Sequence, residues 1–209
     1  MKTTVIGASA GVGLELVNQL VERGHQVTTL SRSVESIADH PAIHKIRGSS
    51  LNADDVARAI DGAEVVLVTL GTGMSSKATG LYPKSATAIL QALRATKAQA
   101  PLIVLTGFGA GDSGDYNPWL MKLLFGLFLK DIYAEKTEME RMLSAGYPNA
   151  MFVRPGRLTN GPLTGQYRVF TELGKNLKVG AISRKDVAHF MAGQAQHADY
   201  IGQYPGLSY

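Results

Sequence analysis

The feature that most constrains this chain lies in its first thirty-three residues. Thr3, Thr4, Val5 and Ile6 form a short β-branched run, which enters Gly7-Ala8-Ser9-Ala10-Gly11-Val12-Gly13. An apolar-striped helix follows over residues 11–23, with Gly24 as its stop, and a second strand over residues 26–30 ends in Ser31, Arg32 and Ser33. A strand that delivers the chain to so tight a turn needs glycine at the first position. The helix then aims its free N–H groups and positive dipole end at the place where a pyrophosphate would lie. Gly11 and Gly13 permit close approach of phosphate to turn and of helix to sheet. The spacing G-x-x-x-G-x-G is one residue more open than G-x-G-x-x-G. Glycines alone would fit a mobile turn, but the flanking strand and helix make this a dinucleotide-binding β-α-β unit.

The remainder of the 209 residues continues the alternation: strands over residues 43–47, 65–69, 102–105 and 150–156, with a short helix after Leu51 and others near 83–97, 133–143 and 184–196. Asn52 or Asp54 caps the short second helix. The all-apolar run 65–69 suits a central strand covered on both faces. These elements imply an α/β fold, one doubly wound parallel sheet with helices on both faces, in a single domain over 1–209. A hydrophobic fraction of 45% gives such a domain a sizeable core. No apolar run reaches the length of about 18 residues needed for a membrane span, and the N-terminus lacks a signal-peptide core, so a cytoplasmic protein is expected. Zero cysteines exclude disulfides and thiolate chemistry. His25, His40, His44, His189 and His197 lack metal-ligand spacing and read as structural or surface residues, so no metal is expected. The net charge of +4 is scattered, which suits attraction of anionic cofactors and substrates rather than nucleic acid.

The end of the second strand decides the cofactor. An acid there would hold the ribose 2′-hydroxyl; Arg32 instead offers a permanently charged fork suited to a 2′-phosphate, so NADP is expected, with NADPH preferred over NADH. The alternative is a solvated Arg32, with Ser33 capping a following helix. Glycine-rich ends of later strands, Leu70-Gly71-Thr72-Gly73 and Thr106-Gly107-Phe108-Gly109, reach the same carboxyl edge of the sheet. Residues 118–130 are too short to span a bilayer and apolar on all sides. They read as a buried helix, an apolar wall for a flat substrate, or a dimer or membrane-surface patch.

The glycine turn, Leu70-Gly71-Thr72, Lys136, Val153-Arg154-Pro155-Gly156-Arg157-Leu158-Thr159 and two C-terminal stretches, 162–167 and 182–191, together resemble the atypical short-chain dehydrogenase/reductase superfamily. The likeness is to its biliverdin-IXβ reductase/flavin reductase group with NmrA-like relatives. It covers nearly the full length and implies a Rossmann-type fold and NADPH-dependent hydride transfer to a flavin, bilin or similar flat conjugated acceptor. Flavin would then be a substrate rather than a prosthetic group. The implied cofactor residues are Gly7 to Gly13, Ser31, Arg32, Ser33, Ser49, Leu51, Leu70, Gly71, Thr72, Thr106, Lys136, Arg154, Pro155 and Gly156. The implied substrate residues are Gly107, Phe108, Trp119, Phe125, Arg157 and Leu158, from segments 106–130 and 155–182. Lys136 would donate to the nicotinamide ribose, unless it is a surface lysine paired with Glu140 at i+4.

Several positions depart from the pattern. Tyr133 precedes Lys136 by three residues, not the four of a Tyr-x-x-x-Lys proton relay. Gly107 replaces a serine, Arg157 a histidine, and Ser49 an acid. Arg157 cannot donate a proton at neutral pH but can clamp a phosphate or carboxylate. Lys136, Thr106 and Tyr133 are the candidate catalytic residues. Because a flavin can take its proton from solvent, conjugated acceptors rank above ketones. Two other classes remain: an NADP(H)-sensing regulator or assembly factor of the NmrA-like type, and a sugar-nucleotide epimerase, for which the chain is short. The expected partner is a small-molecule acceptor, with the chain acting as a monomer or homodimer.

Overall fold

Period-two alternation along apolar strands decides the architecture. A computed structural model describes residues 1–73, 78–116, 129–174 and 177–209. Strands β1 (Lys2–Ile6), β2 (Gln26–Ser31), β3 (Ile43–Arg47), β4 (Val65–Val68), β5 (Leu102–Leu105) and β6 (Ala150–Pro155) lie parallel in the order β3-β2-β1-β4-β5-β6. On one face Val5, Leu67, Ile103 and Met151 pack against α1 (Gly11–Glu22) and α5 (Arg184–His197). On the other, Ile6, Val66, Val104 and Phe152 meet α2 (Ala53–Ile60), α3 (Leu81–Thr96) and α4 (Lys130–Gly146). Successive strand residues point to opposite faces, so one run of apolar residues feeds both layers. This is the doubly wound Rossmann-type sheet. Its order reverses between β1 and β4, and a crevice opens there at the carboxyl ends of the strands.

Local chemistry sets the ends of the elements. Asn52 caps α2 by accepting from the N–H groups of Asp54 and Asp55, and α3 begins two residues before the expected position 83, after Gly80 at φ +74°. Residues 32–42 between β2 and β3 contain no helix, so Ser33 caps none; its hydroxyl donates to Glu35 at 2.9 Å. Four short strands escaped the sequence reading: β7 (Arg157–Thr159), β8 (Arg168–Phe170), β9 (Ala181–Ser183) and β10 (Gly206–Ser208). β10 extends the sheet parallel to β6, β8 closes the edge antiparallel to β10, and β7 pairs with β9 apart from the main sheet. Three-residue strands are too short for alternation to reveal. No helix among the described residues is long and apolar enough to cross a membrane.

Candidate functional site

The crevice between β1 and β4 is built by three close approaches. Gly7 has φ +92°, and a Cβ there would sit 2.8 Å from the Thr69 carbonyl oxygen. A Cβ on Gly13 would overlap the Gly7 carbonyl, so α1 lies directly on the turn. Thr69 ties the two strand ends together, its hydroxyl lying 3.2 Å from the Ile6 carbonyl and 3.1 Å from that of Gly7. The Ala8 N–H is held by the Ser31 hydroxyl at 2.8 Å. The N-cap of helix α1 is Ala10, which brings no capping side chain, and the first turn carries no acid. Its amide end is therefore open to an anion. The resulting cavity, about 600 Å³, is lined by Gly7, Ser9, Ala10, Gly11, Val12, Ser31, Arg32, Ser33, Ser49, Leu51, Leu70 and Gly71, among others. Ala8 and Gly13 shape this wall from behind without facing the cavity. These features fit an extended dinucleotide.

At the far end, beside β2, Arg32 is exposed and makes no ion pair or hydrogen bond with any described residue. Its neighbour Glu35 is occupied: Arg47 pairs with it, and that bond, with Glu35's own N–H contacts and Ser33, holds the carboxyl at about 2. Ser49 lines the first cavity, and its N–H donates to the Asp55 carboxylate at 2.8 Å.

The crevice continues past Leu70, Gly71, Leu105 and Leu158 into a second cavity of about 680 Å³. Thr72, Tyr82, Thr106, Gly107, Phe108, Tyr133, Lys136, Pro155, Gly156 and Arg157 line it, with Leu129 and Ile132 from α4 and residues 179–181 from the chain before and within β9. Lys136 Nζ donates to the Thr106 carbonyl at 2.7 Å, with the rings of Tyr133 and Tyr82 beside it at 4.9 and 5.6 Å. It forms no ion pair with Glu140, as the surface-lysine alternative would require. Burial pulls its amine down to about 8, partly offset by the Glu140 charge. Burial pushes the Tyr133 phenol up to about 12, the reverse of what a Tyr-Lys relay needs. A Cβ at Gly107 would be 3.1 Å from that phenol oxygen, so the glycine, at φ +152°, leaves room for it.

Two expectations are corrected here. Thr106 faces the cavity, but its hydroxyl donates to Glu140 at 2.6 Å, so its proton is directed into the core and away from any substrate. Arg154, expected beside the cofactor, lines neither cavity. Its buried guanidinium is bound by Glu140 at 2.7 and 3.0 Å and by Asp112 at 2.5 Å, because a charge in the core has to be neutralised. Trp119 and Phe125, and with them most of the apolar stretch 118–130, lie outside the described residues; only Leu129 at its end is seen on the cavity wall. Sequence reasoning missed Tyr82, which precedes the expected start of α3, and Glu140, which it weighed only as a partner for Lys136. It also gave no role to Arg184, which lines both cavities. Among the described residues, no group of His, Asp and Glu converges as metal ligands.

The family described as NAD(P)H-binding matches residues 7–198. The chain is 28% identical over 201 residues to an uncharacterised sugar epimerase, YhfK, of Bacillus subtilis, covering 90% of this chain and 85% of that protein. A shorter match, 35% over 68 residues, is to a 3-beta-hydroxysteroid dehydrogenase of Mycolicibacterium neoaurum; it takes in 32% of this chain and only 19% of that protein. Among solved structures, a short-chain dehydrogenase/reductase from Veillonella parvula in complex with NADP superposes with a TM-score of 0.84 at 21% identity, covering 100% and 94% of the two chains. The anaerobilin reductase ChuY of Escherichia coli O157:H7 gives 0.80 at 22%, covering 100% and 97%. A candidate NADH-flavin reductase from Streptococcus pneumoniae gives 0.78 at 23%, covering 100% and 99%. At these identities the superpositions establish a shared fold.

Proposed function

Since this chain belongs to the NAD(P)H-binding family, we propose that it is an NADPH-dependent reductase transferring hydride to a flat conjugated acceptor, of the flavin, bilin or quinone type. The observation that carries this reading is the continuity of the two cavities. A dinucleotide laid along the first, with its phosphates at Gly7 to Gly13, would bring its nicotinamide past Leu70 and Gly71 to the mouth of the second. The second cavity is walled by Phe108, Tyr82, Tyr133, Leu129, Ile132 and Leu158, a surface suited to a planar ring. When bound, the cofactor supplies the hydride. This chain's residues then orient the ribose through Lys136, hold the acceptor ring, and exclude water. Arg157, exposed at the rim, would clamp an acceptor carboxylate or phosphate.

NADPH preference rests on Arg32, an unpaired fork at the end of β2, beside an acid that Arg47 already neutralises. The protonated Lys136 amine is a charged donor on the wall of the second cavity, whereas the Thr106 hydroxyl spends its hydrogen bond on Glu140. With the Thr106 hydroxyl turned to Glu140 and the Tyr133 phenol raised, acceptors whose reduction needs little proton assistance are favoured over ketones, whose alkoxide requires a positioned general acid.

Steady NADPH oxidation against FMN, a linear tetrapyrrole, a quinone and an aldehyde tests the proposal. Turnover with at least one conjugated acceptor, and little with the aldehyde, is expected. Tight NADPH binding without turnover would replace it with the sensor reading. Turnover of a nucleotide sugar with no net cofactor oxidation would replace it with an epimerase, the activity named for the Bacillus relative.

A further inference from the structure

We infer that Arg184 is a pyrophosphate ligand, a cationic strap brought to the N-terminal phosphate turn from the C-terminal third of the chain. This rests on the NADPH site proposed above. Arg184 is the first residue of α5, yet its side chain reaches the mouth of the glycine turn. Its Nε and Cδ lie 3.7 and 3.8 Å from where a Cβ on Gly11 would be. Its Nη1 donates to the Asn160 side-chain carbonyl at 2.8 Å, a neutral partner, and it forms no ion pair with any described residue. A guanidinium held over a phosphate-binding turn with its charge unspent suits a bidentate anion contact.

Arg157 and Arg184 divide by position. Arg157 lines only the second cavity, whereas Arg184 also lines the first, and its partner Asn160 lines the first alone. The root of the strap is rigid. Ser183, which caps α5, donates its hydroxyl to Asp186 at 3.1 Å, and the Asp186 carboxylate also accepts from Thr164, Gly165 and Tyr209. The backbone that carries Arg184 is therefore fixed independently of any ligand.

The test is calorimetric binding of NADPH, NADH, ADP-ribose and adenosine 2′-monophosphate to wild type, Arg184→Ala and Arg184→Lys. Arg184→Ala should weaken NADPH, NADH and ADP-ribose alike by about tenfold or more, the size of one charge-assisted hydrogen bond. Adenosine 2′-monophosphate, which lacks the pyrophosphate, should be unaffected. Arg184→Lys should recover part of the loss, keeping the charge without the fork, and it carries the test should the alanine variant fail to fold. Unchanged ADP-ribose binding, or a loss confined to acceptor KM, overturns the assignment of Arg184. Wild-type protein that binds neither NADPH nor NADH overturns the cofactor reading instead.

Discussion

Lys136 is a cation whose nearest acid is spent elsewhere. Glu140, four residues on, is committed to Arg154 and to the Thr106 hydroxyl, so among the described residues the amine is met by the Thr106 carbonyl and two aromatic rings. Its value of about 8 leaves it protonated at neutral pH and neutral above. An uncharged Lys136 holds the ribose less firmly, so single-turnover hydride transfer should slow as pH rises through about 8, and Lys136→Met should be about a hundredfold slower with no such titration. A Lys136→Met variant with the wild-type rate and profile would make this lysine merely structural. The same shift has a stability consequence of opposite sign. A lysine whose folded value lies below its unfolded one destabilises the fold below about 8, and that cost fades as pH climbs toward the ordinary lysine range. Lys136→Met should thus melt a few degrees higher than wild type at neutral pH, the gap closing in alkali. At the other end of the crevice, Arg32→Ala should weaken NADPH far more than NADH, and equal losses would leave the 2′-phosphate without its partner. Arg32 could be read from sequence because its place follows from the end of one strand. The pairing of Glu140 with Arg154 could not, since it joins two elements fourteen residues apart through side chains whose rotamers only packing fixes.

Between elements, the turn and α1 leave no slack. Gly13→Ala drives a methyl into the Gly7 carbonyl, where the obstacle is backbone and cannot rotate away. We expect it to destabilise by about 1–3 kcal/mol or more in urea titration and to abolish NADPH binding; wild-type affinity would show that α1 can lift without cost to the site. The six parallel strands and five helices were legible because each carries its own periodicity or cap, as with Asn52 on α2. The segments around β7 to β10 were not. They are three residues long, paired across 23 residues or more in β7–β9 and placed by the sheet edge already built by β6. β7 and the chain entering β9 nevertheless wall the second cavity: a Cβ on Gly156 would strike the Gly180 carbonyl, so the two are pressed together there.

Across the whole molecule, Asp186 links what the chain order separates. Burial pushes its carboxyl up. The Tyr209 hydroxyl, the N–H groups of Gly165 and Thr164 and the Thr164 hydroxyl outweigh that and hold it at about 2. A depressed carboxyl contributes stability that is complete above its unfolded value and is lost as pH falls through about 2. Asp186→Asn should accordingly lower the melting temperature at neutral pH and flatten the acid limb of the stability profile. The C-terminal residue, the loop after β7 and the start of α5 thereby share one anchor, from which Arg184 reaches the glycine turn at the other end of the chain. The central claim is that the two cavities hold one reacting pair, with hydride crossing where they meet. Single-turnover mixing of the protein with NADPH deuterated at the transferred position, against FMN and a linear tetrapyrrole, tests it most directly. The account predicts loss of reduced-nicotinamide absorbance in step with acceptor reduction, slowed by a primary isotope effect. Tight NADPH binding with no acceptor reduced above the protein-free rate would contradict it.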